Sequence, residues 1–97
     1  MKTTTEELVA FVAVVDAGSL TGAAEQLGQT PSGISRALGR LEQKLETTLL
    51  NRTTRRIDLT EEGRIFLDRA RAILEAIEEA EEQLALQRHR PAGRLRI

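Results

Sequence analysis

The fold is decided by residues 18–45, which read GSLTGAAEQLGQTPSGISRALGRLEQKL. Gly28 predicts the end of a short helix that Thr21 can cap, because glycine readily takes the left-handed conformation that follows a last helical turn. Only two residues later, Thr30 is a predicted N-cap, and Pro31 occupies the first helical position, where the missing N–H of proline is harmless. The stretch therefore predicts two helices joined by a very short turn.

The second of these helices has an apolar face and a basic face. Its leucine and isoleucine residues recur at helical spacing and predict a buried stripe: Ile34, Leu38, Leu41 and Leu45. Arg36, Arg40 and Lys44 follow one another at intervals of four on a different face. Like charges at that interval destabilise an isolated helix, so the basic stripe favours an external anion as partner, with a merely solvated surface as the alternative.

A further helix precedes this pair. Thr4 and Glu7 stand at the spacing of a capping box, and Gly18 predicts the C-terminal end. The apolar positions between them fall on one face: Leu8, Phe11, Val12 and Val15. Small residues at Ala23 and Ala24 allow a neighbouring helix to approach closely. We therefore predict a core of three helices, of which the last two form a helix-turn-helix.

The apolar period changes after this core. Residues 48–60 contain two β-compatible pairs, Leu49-Leu50 and Ile57 with Leu59, separated by the sequence NRTTRR. We predict a small two-stranded hairpin. Its tip is rich in arginine and has no acidic residue, whereas a hairpin that needs only a turn more often uses Asn-Gly or Asp-Gly. The hairpin is therefore a candidate anion-binding wing, with a simply soluble loop as the alternative.

A long helix is predicted over residues 61–88. Thr60 is its N-cap, and the next two residues are acidic, as favoured in a first turn. A heptad seam runs along it, and we predict that this seam is a dimer interface: Phe66, Ala70, Ile73, Ile77, Ala80 and Leu84. Such a helix is about 40 Å long and extends beyond the small domain before it. A homodimer covers the seam, whereas the alternative is a helix packed wholly on its own domain.

Composition places the chain among small helical proteins. It has 97 residues, 40% of them hydrophobic, with two Phe and no Trp or Tyr, so its single core must be mainly aliphatic. The absence of cysteine excludes disulfides and thiolate metal sites. No long apolar span or signal peptide is present, so we expect a cytoplasmic protein without membrane contact. The only histidine, His89, has no partner at catalytic spacing, and we expect no catalytic residue, metal or cofactor.

The net charge of −1 is unevenly distributed. Residues 31–60 carry six basic and three acidic side chains, residues 72–87 carry five acidic and no basic ones, and residues 88–97 carry four basic and no acidic ones. The helix-turn-helix and the hairpin therefore form the positive part of the chain. This distribution indicates nucleic acid as the partner, although the whole chain is slightly acidic.

We predict that the second helix of the helix-turn-helix presents its N-terminal polar face to the major groove of double-stranded DNA. Arg36 is the best candidate to read a base, because a guanidinium binds guanine O6 and N7 together. Hydroxyls and the more distant cations suit phosphates, and Arg55 suits a narrow minor groove. Arg52 and Arg56 either hold phosphates or pair with carboxylates. The predicted contacts are Ser19, Thr21, Thr30, Pro31, Ser32, Gly33, Ser35, Arg36, Arg40, Lys44, Arg52, Thr54, Arg55 and Arg56.

Nearly the whole chain resembles the LysR-type transcriptional regulator family. The resemblance is carried by GSLTGAAEQLG from Gly18, TPSGISR from Thr30, and LLNRTTRR from Leu49, followed by LTEEG from Leu59. It implies a mostly α fold: a winged helix-turn-helix of three helices and a small β-hairpin wing, followed by a long dimerising linker helix. Many members have Ser-Gln-Pro where this chain has Thr30-Pro-Ser, so their base preferences do not transfer to it.

The resemblance also implies an organisation in three parts. Residues 1–60 are the DNA-binding domain, residues 61–88 the linker helix, and residues 89–97 a hinge with the first strand of an effector domain that this chain lacks. In the full-length family, that domain binds a small-molecule inducer and drives tetramer formation. The expected partners are a pseudo-palindromic DNA operator and a second copy of the chain.

Three other interpretations compete with this one. An enzyme lacks candidate residues, because no serine has a base at recognisable spacing and no glycine-rich phosphate loop occurs. A protein-interaction module built on the long helix leaves the basic stripe and the arginine wing unused. A winged-helix regulator of the MarR-like kind has dimerisation helices at both ends of the chain, whereas only the C-terminal one is present here.

Overall fold

The computed structural model describes residues 1–52 and 56–88. The elements follow in the order α1 Thr5–Ala17, α2 Leu20–Leu27, α3 Pro31–Leu45, β1 Leu50–Arg52, β2 Ile57–Leu59 and α4 Glu61–Arg88. This order confirms the predicted fold class, a mostly α winged helix-turn-helix followed by a long helix. The predicted contacts Thr54 and Arg55, and the predicted hinge over 89–97, lie outside the described residues.

Side-chain caps begin the helices, and most stand where the sequence predicts them. At α1 the capping box is complete: the backbone N–H of Glu7 donates to Thr4 Oγ1 at 3.2 Å, and the backbone N–H of Thr4 donates to Glu7 Oε1 at 3.0 Å. Thr30 accepts from the backbone N–H of Gly33 at 3.0 Å, and Thr60 from that of Gly63 at 2.9 Å. These caps fix where α1, α3 and α4 begin.

The prediction that Thr21 caps α2 is wrong. The cap is Ser19, whose backbone is extended and whose hydroxyl accepts from the N–H of Gly22 at 3.0 Å. Thr21 already lies in the first helical turn. Two hydroxyl residues stand two positions apart here, and the one three residues before an available N–H takes the capping role.

The three core helices end in left-handed residues. Gly18 and Gly28 adopt φ values of 76° and 66°, as their positions predict. α3 ends instead at Glu46, with φ 52°, which is the one positive φ of a non-glycine residue within the described ranges. The backbone N–H of Thr47 donates to Glu42 O at 3.0 Å and closes the turn. Sequence patterns do not predict this end, because glutamate seldom adopts the left-handed conformation.

The core is formed where α1, α2, α3 and the first turns of α4 meet. Its two aromatic rings face one another, with the centroids of Phe11 and Phe66 5.7 Å apart and their planes inclined at 50°. Phe66 is partly buried, and the fully or nearly buried apolar side chains besides Phe11 are small or aliphatic: Leu8, Ala10, Ala13, Val14, Ala23, Ala24, Ile34, Ala37, Leu38, Leu41, Leu49, Leu50, Leu67 and Ala70. The predicted apolar face of α3 is confirmed, with Leu45 partly buried at its end.

The hairpin is fixed to the start of α4. Its strands are antiparallel, with Leu50 opposite Leu59 and Arg52 opposite Ile57. At its base, the carbonyl of Leu49 accepts from the backbone N–H of Thr60 at 3.0 Å. The Thr60 hydroxyl lies 2.7 Å from the carbonyl oxygen of Thr48 and 3.2 Å from that of Leu49, and it donates to these backbone acceptors. A Cβ added at Gly63 would overlap that same carbonyl oxygen. The close approach therefore requires glycine at position 63.

Only the first turns of α4 pack on the core. Gly63, Leu67 and Ala70 are buried there, and Arg71 makes a two-point ion pair with Asp16, with the shorter contact at 2.7 Å. The hydrogen bonds from Arg71 outweigh partial burial and lower the pKa of Asp16. Among the described residues beyond Leu74, every side chain is exposed except Ala85. The alternative in which the helix packs wholly on its own domain is therefore excluded.

One member of the predicted seam needs correction: Ala70 is fully buried within its own chain. Phe66 packs on Phe11 but is only partly buried, so its place in the dimer seam stays a prediction. The heptad spacing is continuous across both halves of α4 and does not distinguish burial within the chain from burial by a second chain. Ile73, Ile77, Ala80 and Leu84 stay exposed.

Candidate nucleic-acid interface

The helix-turn-helix presents the N-terminal half of α3 to solvent. Thr30, Pro31, Ser32 and Arg36 are exposed, and Gly33 and Ser35 are half-buried. Ser19 and Thr21 are also exposed, at the start of α2. Ser19 and Thr30 each use a hydroxyl lone pair as a cap, which leaves the hydroxyl proton available for a phosphate or a base. The predicted polar face is thus present, with donors at its surface.

Arg36 is the cation of this face that no carboxylate holds. Within the part of the chain that the structure describes, its guanidinium makes no ion pair and no side-chain hydrogen bond. Its five N–H donors are therefore available in the planar arrangement that matches guanine O6 and N7 or a phosphate.

The other two members of the basic stripe face a buried carboxylate. Lys44 Nζ donates to Glu7 Oε2 at 2.8 Å and to the carbonyl of Lys2 at 3.0 Å, and Arg40 Nε lies 3.5 Å from the same carboxylate oxygen. The Glu7 side chain is 2% exposed. Burial raises the pKa of Glu7, but hydrogen bonds from Lys44 and from the backbone N–H of Thr4 outweigh it and lower that pKa.

This arrangement changes the interpretation of the stripe. The anion that compensates Lys44 is Glu7 of the same chain, so like-charge spacing does not require an external anion at that position. Lys44 is one-third exposed, whereas the side chain of Arg40 is 57% exposed and reaches past Glu7 to solvent. The argument for an external partner therefore rests on Arg36 and in part on Arg40.

On the opposite flank of α3, Glu42 joins this helix to the hairpin. Its Oε2 accepts from the backbone N–H groups of Leu49 and Leu50, at 2.8 and 3.1 Å. Arg52 Nη2 contacts Glu42 Oε1 at 3.4 Å, and Arg52 Nη1 donates to the hydroxyl of Ser35 at 3.1 Å. Of the two roles predicted for Arg52, carboxylate pairing is the one observed.

Sequence reasoning missed Glu42. A partial signal was available, because Glu42 is the only acidic residue in α3 and lies in its last turns, seven residues before the first hairpin N–H groups that need acceptors. Arg56 also pairs with a carboxylate, Asp58 Oδ1, at 3.1 Å. Both of these side chains are well exposed, so this pair contributes little to stability.

The outer part of α4 displays an apolar strip next to a groove. Ile73 and Ile77 are 46% and 37% exposed, and Leu84 is 64% exposed. A groove of about 410 Å³ runs between α1 and α4, and its apolar walls come from Val9, Val12, Leu74 and Ile77. Sequence reasoning missed the two valines as surface residues and also Ile65 and Leu86, which are 63% and 67% exposed.

Other kinds of site find little support in the described ranges. No group of three or more histidine, cysteine, aspartate or glutamate side chains is placed to hold a metal ion there. Within the same ranges, no helix is both long and apolar enough to cross a membrane.

Comparison with known proteins identifies the family. The model described as "Bacterial regulatory helix-turn-helix protein, lysR family" matches residues 5–64. The HTH-type transcriptional regulator CrgA of Neisseria meningitidis serogroup C (strain 8013) is 48% identical over 97 residues, which are 100% of this chain and 32% of that protein. The HTH-type transcriptional activator AaeR of Escherichia coli (strain K12) is 45% identical over 87 residues, 90% of this chain and 28% of that protein. The chain thus spans about a third of the length of the curated relatives that it matches.

Solved structures show the same fold. A complex titled "Crystal Structure of BenM_DBD/catB site 1 DNA Complex" superposes with a TM-score of 0.85 at 30% identity and covers 90% of this chain and 98% of that one. The structure of CrgA, a LysR-type transcriptional regulator from Neisseria meningitidis, superposes with a TM-score of 0.75 at 49% identity and covers 88% of this chain and 29% of that one. The chain belongs to the lysR family of bacterial regulatory helix-turn-helix proteins.

Proposed function

We propose that this chain is the DNA-reading part of a bacterial transcription regulator and binds double-stranded DNA as a homodimer. The observation that carries the proposal is the exposed guanidinium of Arg36, which no described carboxylate holds, on the polar face of a helix-turn-helix. The likeness to a complex of a DNA-binding domain with DNA supports it. Residues 1–60 are the DNA-binding domain, and residues 61–88 are the dimerisation helix.

In the proposed complex, α3 enters the major groove by its N-terminal half. Arg36 reads guanine, and Ser32 and Thr30 donate or accept at neighbouring base edges. Gly33 lets the helix backbone approach the DNA closely. The hydroxyls of Ser19 and Thr21 and the guanidinium of Arg40 hold phosphates, which fix position without reading sequence. Thr54, Arg55 and Arg56 lie in or beside the minor groove.

The dimer interface is proposed on the outer part of α4. Ile73, Ile77, Ala80 and Leu84 form the contact, and the groove along α1 receives apolar side chains of the partner helix. A helix this exposed has few contacts within its own chain, so a second copy is the simplest way to bury the strip.

We infer that this chain itself catalyses no reaction, because its relatives are regulators and the polar groups of its described residues serve caps, ion pairs and the α3 face. Inducer binding and tetramer formation are proposed for the effector domain of the full-length protein, beyond residues 89–97. A cytoplasmic location follows from the proposed partner, because the bacterial chromosome lies there.

The test is fluorescence-anisotropy binding of the chain to a pool of randomised duplexes at two salt concentrations, with sequencing of the bound fraction. We expect affinity to fall steeply with salt and a two-fold-symmetric site to be enriched, with half-sites about one helical turn, or a multiple of it, apart. Arg36→Ala is the matched variant, since it removes one exposed cation outside every described ion pair. Absence of binding at low salt would contradict the proposal and favour a protein-interaction role for α4.

A further inference from the structure

A continuous set of hydrogen bonds ties the wing to the recognition helix. It runs from the buried backbone at Leu49 and Leu50 to Glu42, from Glu42 to Arg52, and from Arg52 to the hydroxyl of Ser35. Ser35 directly precedes Arg36, and it is half-buried on the wing side of the exposed face. The set therefore ends at the proposed DNA surface, one residue from the proposed base reader.

The contact with Arg52 determines what Ser35 can do. A serine hydroxyl has one proton to donate and two lone pairs to accept with. Because the guanidinium is always protonated, Arg52 can only donate, so Ser35 Oγ is the acceptor in their 3.1 Å contact. The proton of Ser35 must then point away from Arg52, toward another acceptor.

No described residue takes that proton. The usual acceptor for a serine within a helix is the carbonyl four residues earlier, here that of Pro31. Within residues 1–52 and 56–88, Ser35 Oγ has a hydrogen bond to Arg52 and none to that carbonyl. Ser35 is thus left as a donor at the surface of α3.

Arg52 itself is poorly placed to act as a free cation. Its side chain is 29% exposed, and its charge faces Glu42, whose side chain is 18% exposed. Because Glu42 is fixed by two backbone N–H groups, Arg52 is held in one orientation. Its observed contacts fit a role in orienting Ser35 better than a role in direct phosphate binding.

We propose that Arg52 is a positioning residue, which sets Ser35 to donate its hydroxyl proton to an acceptor on DNA. The acceptor is either a base edge, such as guanine O6 or N7 or thymine O4, or a phosphate oxygen. This inference rests on the proposed function and adds to it that the wing acts on the recognition helix from within the protein.

A double-mutant cycle tests the link. Ser35→Ala and Arg52→Lys are made singly and together, and affinity is measured on the duplex selected from the randomised pool and on a scrambled duplex. Lysine keeps the charge and cannot contact Ser35 and Glu42 through one planar group. We expect Ser35→Ala to weaken binding about five- to tenfold. Arg52→Lys should weaken it about threefold when Ser35 is present and less than about 1.5-fold in the Ser35→Ala background.

Arg56→Lys is the matched control, because Arg56 lies in the same hairpin and pairs with Asp58 rather than with the Ser35 flank. Its effect should be the same when Ser35 is present and in the Ser35→Ala background. Thermal unfolding of each variant checks that it folds. The Arg52–Ser35 bond of the free chain adds its own coupling to stability, so the proposal is judged by the coupling in the binding free energy of folded protein. Repeated selection with Ser35→Ala distinguishes the two acceptors. If Ser35 donates to a base, the variant loses its base preference at one position of the selected site. If Ser35 donates to a phosphate, the variant binds all sequences more weakly to the same degree.

Three results would overturn the proposal while the chain still binds DNA. Ser35→Ala could leave both affinities unchanged. Arg52→Lys could weaken binding equally in the two backgrounds, which would indicate a direct phosphate contact. The coupling could be confined to the unfolding midpoints and be absent from binding, which would indicate a purely structural bond. If the unmodified chain bound no duplex at all, the proposed function itself would fail.

Discussion

Gly63, in the first turn of α4, provides a direct test of how the long helix is joined to the wing. A Cβ at this position would overlap the carbonyl oxygen of Leu49 and come within 3.1 Å of Leu59 Cδ2. That carbonyl is backbone, and it also accepts from Thr60, so it cannot rotate away as a flexible side chain would. Gly63→Ala must therefore shift the start of α4 or open the base of the hairpin.

The expected cost follows from three contributions. Overpacking against fixed atoms costs about 1–3 kcal/mol. Loss of one hydrogen bond to the Leu49 carbonyl adds about 0.5–1.5 kcal/mol. The higher helix propensity of alanine offsets about 0.5–1 kcal/mol. We expect Gly63→Ala to lower the free energy of unfolding by about 2 kcal/mol, within the range that these contributions allow.

Urea unfolding followed by circular dichroism measures this change, since the chain has no Trp or Tyr to report by fluorescence. Both proteins are compared at one concentration, because a dimer unfolds in a concentration-dependent way. Gly39→Ala is the matched control: Gly39 is a helical glycine in α3 with no neighbouring atom within 4 Å of an added Cβ, so this variant should be more stable by about 0.5–1 kcal/mol. If Gly63→Ala were as stable as the unmodified protein, the close approach of Gly63 to the carbonyl oxygen of Leu49 would be contradicted.

Four further predictions concern the site and the fold. Arg36→Ala should lose about 1–3 kcal/mol of binding free energy on a selected duplex and relax a base preference, which repeated selection measures. Lys44→Ala should mainly lower the free energy of unfolding, because it leaves buried Glu7 with less compensation, and urea unfolding measures that loss. Ile77→Glu should shift the chain toward monomer in light scattering, with exposed Ala72→Glu as a control that leaves the mass unchanged. The folded-state pKa of Glu7 is lowered, so its contribution is present above the ordinary value of 4.5 and is lost as pH falls; Glu7→Gln should flatten the acid side of the stability curve.

Local signals in the sequence predicted the elements well. The caps at Thr4, Thr30 and Thr60 and the glycine ends at Gly18 and Gly28 depend on neighbouring backbone groups alone, and the structure confirms all of them. Short-range rules fail where two candidates compete or where the backbone adopts a costly conformation. The choice of Ser19 over Thr21 is a failure of the first kind, and the left-handed Glu46 is one of the second.

The polar face of α3 was also predictable, because helical spacing alone places Ser32 and Arg36 opposite the buried leucines. The contacts on the two flanks of α3 could not be predicted in the same way. Lys44 pairs with Glu7 across 37 residues, and Glu42 binds backbone N–H groups of the hairpin, which are contacts that only the packing of separate elements creates. Spacing along one helix treats every charged residue as solvent-facing, so it overestimated the number of cations available to an external anion.

The exposed outer half of α4 has a consequence for folding. Beyond Leu74 this segment has few tertiary contacts, and its glutamates recur three or four residues apart, where like charges destabilise an isolated helix. A segment of this kind is not expected to remain helical when the partner chain is absent. Dilution below the dissociation constant should therefore unwind the outer turns, so that separation of the subunits and local melting are one event, visible as a loss of helical circular dichroism.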